Sequence, residues 1–345
     1  MLRLIISFSF ILVLFACNSD EEEKILPATV GDVSEILVVG EKEHWNGMVG
    51  DTLRAFFDQP YPKLPQGEGM YDLRFITPLQ FVDYEKRQAH IFRLSIGDKE
   101  QNRDARITQS EDIYAKGQKI YTFYALDGRS FVPTFNELKH QILYDLEKRT
   151  IARGIDRHQT LEDLAINKKV MEKFNVDISI PKGFRVSSES ENVTVLKRYR
   201  DKALRIRDLG VRSHDISDGI VIYRYNHNSD STFTLKRQIE IRDSILGLNV
   251  VSANEAPMKV EPLRDPMLEE IDLNGVFATK MRGLWRFDSP IMGGPFVNVS
   301  FFHEENGYAI GIDGYVFSPK FDKRDFVREV EAILHSAVPV LKPKE

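Results

Sequence analysis

From residue 34 onward the chain alternates short apolar bursts with amphipathic stretches. Residues 34–39 (SEILVV) carry a short apolar run ending at Gly40, the pattern of a buried strand. Residues 44–58 place Val49, Leu53, Phe56 and Phe57 on one side of a helix that Pro60 and Pro62 would end. Residues 73–76, 91–96 and 119–126 read as further strands, the last stopped by Asp127-Gly128. Thr134 with Glu137 makes a capping box for a helix carrying Phe135, Leu138, Ile142 and Leu146, with Gly154 available to close it. A second helix at 160–175 is expected to start at Thr160 and Asp163. The later pattern reads as strands at 178–180, 193–196 and 220–225, a helix at 232–246, and a loop rich in proline and acid. Strands at 275–287, 296–303 and 308–317 follow, with a turn at Glu305-Asn306-Gly307, and a closing helix at 322–337. Asp322 and Asp325 suit that helix's positive N-terminus.

This order predicts an α+β protein of two domains, each a largely antiparallel sheet packed with helices. The expected boundaries are residues 31–155 and 178–345, joined by a connecting helix at 156–177. The second domain, opened by Ile180-Pro181-Lys182-Gly183-Phe184, resembles a PsbP-like α/β/α sandwich.

The start of the chain reads as an address. A positive Met1-Leu2-Arg3 precedes an apolar run over residues 4–15. The run is too short for a spanning helix, which needs ~20 apolar residues, but suits a signal peptide. It ends at Ala16-Cys17, and Cys17 is the chain's single cysteine. The arrangement resembles a bacterial lipobox, which implies that residues 1–16 are removed and that Cys17 carries lipid, palmitate among its acyl chains. An ordinary secretory signal with an incidental cysteine is the alternative. Asp20-Glu21-Glu22-Glu23 then makes residues 17–30 a solvated tether. The acids also resemble the surface-export signal of Bacteroidota lipoproteins. The expected location is the outer membrane, with the cell surface favoured over the periplasmic face.

Composition removes classes rather than naming one. The 345 residues carry 47 Lys and Arg against 52 Asp and Glu, so there is no cationic excess for nucleic acid. Eight scattered histidines, no HExxH, no cysteine pair, no G-x-S-x-G and no phosphate loop give no reason to expect a metal site or a cofactor.

Several strings resemble an uncharacterised family of Bacteroidota lipoproteins, domain of unknown function 4837. They are SEILVVGEKEHWNGMVGDTLR at 34–54, LPQGE at 64–68, RGLW at 282–285, MGGPFV at 292–297 and GYVFSPKFDKRDFVREVEAIL at 314–334. The resemblance implies an envelope lipoprotein and carries no catalytic residues.

Two constellations are candidate binding sites. His44 and Trp45 lie beyond the first strand, where ligands often bind in α/β sheets; a packed Trp45 is the alternative. Arg282 and Trp285, with Gly293 and Gly294, combine hot-spot side chains with glycines that let a partner's backbone approach. Arg282 and Trp285 have opposite strand parity, so sharing a site requires a bulge at Gly283. A purely structural hairpin is the other reading. Residues 197–207 (KRYRDKALRIR) are a candidate surface for anionic groups or a charged strand edge. Asp265, Glu269, Glu270 and Asp272 are candidate paired carboxylates or an exposed acidic loop. The function expected is a non-enzymatic binding or assembly component that docks a protein or glycan partner. The alternative is a hydrolase acting on envelope glycan or peptide.

Overall fold

The computed structural model describes residues 25–206, 210–227 and 229–340. Cys17, the apolar leader and the acids at 20–23 lie outside the described residues.

The first unit contains β1 (Glu35–Val39), α1 (Lys42–Trp45), α2 (Met48–Phe57), β2 (Asp72–Ile76), α3 (Asp83–Lys86), β3 (His90–Ile96), β4 (Arg106–Glu111), β5 (Lys119–Ala125) and α4 (Gly128–Thr160). Its sheet runs β2-β1-β3-β5-β4. The α+β class holds, but here β2, β1, β3 and β5 are mutually parallel and β4 alone is antiparallel, where antiparallel pairing was expected. The cause is visible in β1. Ile36 and Val38 bury among the phenylalanines under α2 and α4, while Leu37 and Val39 bury on the opposite face with Ile91 and Ile120. A strand buried on both faces is the parallel-sheet condition. The core on the helix side is aromatic: Phe123, Phe131 and Phe135 pack at 5.6–6.2 Å, and Phe92 reaches Phe123 at 5.1 Å.

α4 starts seven residues earlier than expected and does not stop at Gly154. Asp127 caps it by accepting from the Ser130 amide at 2.9 Å, and the Thr134 hydroxyl instead donates to the Ser130 carbonyl at 3.0 Å. Gly154 serves a helix crossing: a Cβ there would lie 2.5 Å from the Ala332 side chain.

The second unit contains α5 (Leu164–Phe174), β6 (Val176–Asp177), β7 (Arg185–Glu189), β8 (Val193–Ile206), β9 (Gly210–Asn226), α6 (Leu235–Asn249), β10 (Lys259–Val260), β11 (Met267–Leu273), β12 (Val276–Asp288), β13 (Ile291–His303), β14 (Tyr308–Phe317), α7 (Arg324–His335) and β15 (Val338–Pro339). Its eight-stranded sheet runs β10-β12-β13-β14-β9-β8-β7, with β11 also on β12, and its pairings are antiparallel. α5 and α7 cover one face through Val170, Phe174, Val327, Val330 and Leu334; α6 covers the other through Ile241 and Leu246. The result is an α/β/α sandwich.

The expected connecting helix at 156–177 is divided by the structure. Its first part is the end of α4. Its second part is α5, capped by Asp163 and buried in the second sheet's core. The segment expected to be an acidic loop contains β11, whose alternation puts the exposed Glu269 and Glu270 on opposite faces of the sheet.

The units meet along α7. Glu68, from the LPQGE string, accepts from the backbone amides of Lys323 (2.8 Å) and Arg324 (2.8 Å), placing a carboxylate on the helix's positive end. Arg324 reaches Asp72 at 2.5 Å, and Arg328 pairs with Glu147. Tyr61 and Leu64 pack into the second unit's core.

Candidate binding site

The sequence candidates resolve into packing. Trp285 is 2% exposed; its ring lies in the core under α6 and its Nε1 donates to the Val316 carbonyl at 3.2 Å. It therefore presents nothing to a partner. Arg282 is buried on the opposite face, donating to Glu331 at 2.5 Å and to the Tyr61 hydroxyl at 2.8 Å. No bulge at Gly283 brings the two together, since β12 and β13 stay in register from Ala278 to Asp288. Gly294 is demanded by packing: a Cβ would meet the Val316 carbonyl oxygen at 2.0 Å, and one on Gly293 would meet the Trp285 oxygen at 2.7 Å. Trp45 is half-buried, stacked on Phe75 at 5.1 Å with the Arg54 guanidinium 4.5 Å from its ring; His44 sits half-buried beside it. In the basic segment, Arg198 and Arg200 pair with Asp218 at 2.7 and 2.8 Å and with Glu329 at 3.5 and 2.6 Å, so two of its charges are neutralised internally. Among the acids, Glu269 pairs with Lys280 at 2.9 Å, and Asp272 accepts from the Gly275 amide at 2.7 Å to close the β11–β12 turn.

What the fold builds instead is a groove of about 800 Å³ near the start of α6. One wall is an aromatic ladder: Phe302 lies 4.5 Å from the His227 ring, His227 5.4 Å from Phe233, and Phe233 6.0 Å edge-on to Phe277. Phe277 is 55% exposed, a large apolar side chain facing solvent from a central strand. Glu270 and Glu304 line the groove and make no ion pair among the described residues. The buried Thr279 Oγ1 and His227 Nδ1 lack hydrogen-bond partners among the described residues.

The floor follows from strand register. Residues directly opposite one another in an antiparallel sheet share a face. Glu270 opposes Thr279, Thr279 opposes Ser300, Ser300 opposes Gly311 and Gly311 opposes Tyr223, so one row crosses five strands beneath α6. Gly311 makes room for the Tyr223 ring, which a Cβ would approach to 2.3 Å. From Ser300 the polar chain continues inward. Ser300 Oγ donates to Asn298 Oδ1 at 2.9 Å; Asn298 Nδ2 donates to the Tyr223 hydroxyl at 2.9 Å and to Asp313 at 3.3 Å. Arg242 closes it with two bonds to Asp313, at 2.7 and 3.1 Å, while its guanidinium lies 3.7 Å from the Phe296 ring centre. Gln238 donates to the Tyr225 hydroxyl at 3.0 Å and to the Thr232 carbonyl at 2.8 Å, tying the helix to the same floor. Burial pushes the Asp313 carboxyl above the usual range against the pull of Arg242. Burial, then the Asp313 charge, holds the Tyr223 hydroxyl protonated. Among the described residues no group of three or more His, Cys, Asp or Glu is placed to hold a metal ion.

This floor has a sequence signal that went unread. Asn298 and Ser300 occupy alternate positions of an otherwise apolar strand, and Asp313 interrupts the next one. Polar residues at period two inside apolar strands mark a buried polar row rather than a solvent face.

Fold and site together define an α+β protein of two units with a groove on the helix-covered face of an antiparallel sheet. The chain belongs to the family described as Domain of unknown function (DUF4837), whose model matches residues 163–336. A second family, Domain of unknown function (DUF8532), matches residues 29–159, so the two matches divide the chain at the α4–α5 junction. Among curated proteins none matches in sequence. Solved structures show a distant likeness. The Ran-binding protein Mog1p of Saccharomyces cerevisiae is 12% identical with a TM-score of 0.31, over 48% of this chain and 90% of that one. A point mutant of the protein Mog1 gives 12% and 0.30, over 48% and 91%. A protein from Bacteroides thetaiotaomicron VPI-5482 gives 10% and 0.18, over 47% and 44%.

Proposed function

We propose that this protein is an outer-membrane lipoprotein, anchored through Cys17, that binds an envelope glycan in the groove beside α6 without chemically changing it. The observation that carries the reading is the ladder of Phe302, His227, Phe233 and Phe277 facing unpaired carboxylates over a polar floor. Aromatic faces cover the apolar faces of sugar rings, while Glu270, Glu304 and the Thr279 hydroxyl take sugar hydroxyls as hydrogen-bond partners. Such a division between apolar wall and a few polar groups is the usual chemistry of a small-ligand site. The acyl chains on Cys17 would hold the protein at the membrane, each buried methylene contributing ~0.8 kcal/mol.

The test titrates the full-length chain in nonionic detergent with soluble oligosaccharides released from peptidoglycan and lipopolysaccharide. Wild type binds, and Phe277→Ala weakens binding at least tenfold without moving the melting temperature. Equal binding by both would sink the groove assignment. New reducing ends appearing during incubation would replace binding by hydrolysis. The anchor is checked separately: a fatty-acid probe labels wild type and not Cys17→Ala, and label persisting on the variant would overturn it.

A further inference from the structure

A second cavity, of about 910 Å³, lies where the two units meet, between the last turns of α4, the segment at 26–33 and α7. Its charge is unbalanced. Lys116, Arg153, Arg157 and Arg328 border it, against Asp156 and Glu329. Glu329 is already taken by Arg200 and Arg198, and Arg328 by Glu147. Arg153 makes no ion pair or hydrogen bond among the described residues. Its burial, reinforced by the charges of Arg157 and Arg149, works against its own protonated state. Just behind, the Thr150 hydroxyl that lines the cavity bonds the His90 ring at 2.9 Å. Burial and then the charge of Arg153 hold that ring neutral. The buried Arg328 Nε has no hydrogen-bond partner among the described residues.

Packing does not explain this arrangement. Among the described residues Arg242 has Asp313, Arg282 has Glu331, Arg198 has Asp218 and Arg328 has Glu147, whereas the half-buried Arg153 has no carboxylate. A partly desolvated cation without a counter-ion lowers stability, and replacing it by an apolar or neutral residue generally relieves the cost. A guanidinium kept open toward a cavity, with two more cations on the rim, matches the fork geometry of phosphate oxygens. The volume falls within the range of small-molecule sites and exceeds one phosphate, and Leu26 and Leu161 supply apolar wall for the rest of a ligand.

We infer that this inter-unit cavity binds a phosphate-bearing ligand, with Arg153 as its central contact and Lys116 and Arg157 at its mouth. The shared chemistry is a phosphate group, carried by a free small molecule or a lipid headgroup.

The test follows thermal unfolding of the full-length chain in nonionic detergent. Inorganic phosphate and dihexanoyl phosphatidic acid are the two probes, each against sodium chloride of equal ionic strength. The expected result is a rise of several degrees above the salt control, since a ligand that binds only the folded state stabilises it. A rise with phosphatidic acid alone assigns a lipid headgroup; a rise with both assigns a free phosphate as sufficient. Arg153→Gln should lose the rise while melting higher than wild type without probe, the signature of removing a charge kept for a ligand. If Arg153→Gln does not fold, Lys116→Gln combined with Arg157→Gln serves in its place and should weaken probe binding at least tenfold. No rise with either probe, or a rise undiminished in these variants, overturns the proposal.

Discussion

The two faces of the second sheet carry buried charge in opposite ways. Under α7, Glu331 is surrounded: Arg282 at 2.5 Å, Lys280 at 2.9 Å, His335 at 3.5 Å and the Tyr61 hydroxyl at 3.4 Å. The partners come from β12, α7 and a loop of the first unit, so both units contribute. Under α6, the chain from Arg242 through Asp313, Asn298 and Ser300 runs along the sheet toward a groove whose floor holds an unpartnered hydroxyl. A network that draws its cations from β12 and α7 and a hydroxyl from the first unit fixes how the units dock. A network ending at an open, under-satisfied edge positions groups for something from outside. Density of buried polar residues therefore does not separate structure from site; whether the network reaches an open groove does.

Breaking the α7 side gives the largest effect. Glu331→Ala leaves Arg282 and Lys280 as uncompensated buried charges and should cost about 3–5 kcal/mol by chemical denaturation. A loss below ~1 kcal/mol would show that water reaches this cluster and that it is not the lock between units.

On the α6 side, Trp285→Ala should cost about 3–5 kcal/mol through the cavity it leaves, with sugar binding lost only in proportion to unfolding. An unchanged melting temperature would return Trp285 to the surface role its sequence suggested.

Acid discriminates the faces by sign. Arg282 and Lys280 hold the Glu331 carboxyl well below the usual range despite its burial. Its contribution is present above the unfolded carboxylate pKa and is lost as pH falls through the lower folded value. Asp313 is shifted upward, so folding there is favoured by protonation and its contribution fades as pH rises through the raised value. Glu331→Gln, though less stable at neutral pH, should lose less stability between pH 5 and pH 3, by about 1.4 kcal/mol per unit of the abolished shift. Parallel acid limbs for variant and wild type would contradict the assignment.

The smallest effect belongs to the open edge. Thr279→Val removes a buried hydroxyl that has no partner, so stability should hold or rise by up to ~1 kcal/mol while sugar affinity falls. A clear loss of stability would mean that the hydroxyl is bonded within the fold and the groove floor is closed.

Much of the architecture was legible. The three long strands of the second sheet lie within a few residues of their expected bounds, and Gly307 takes the left-handed turn conformation (φ 68°) that Asn306-Gly307 announced. Apolar periodicity and turn residues are local signals, and local signals set elements. The errors came where a local signal had a distant use. Gly154 read as a helix stop because glycine commonly ends helices; here it admits Ala332 of α7. Trp285 and the glycines opposite it read as a binding patch because exposure was assumed; the core under α6 buries Trp285, and β14 packs against Gly294. Glu68, in an unremarkable loop, caps a helix more than 250 residues away.

The sequence alone determined the class of fold and the three long strands from residue 275 onward, because each depends on neighbours within a few turns of chain. Whether a charge is a strut or a site was decided by tertiary structure. Arg282 and Arg153 are equally arginine in the sequence. Only the packing of α7 against both units gives the first a carboxylate and leaves the second facing a cavity, because electrostatic compensation depends on distance in space and not along the chain.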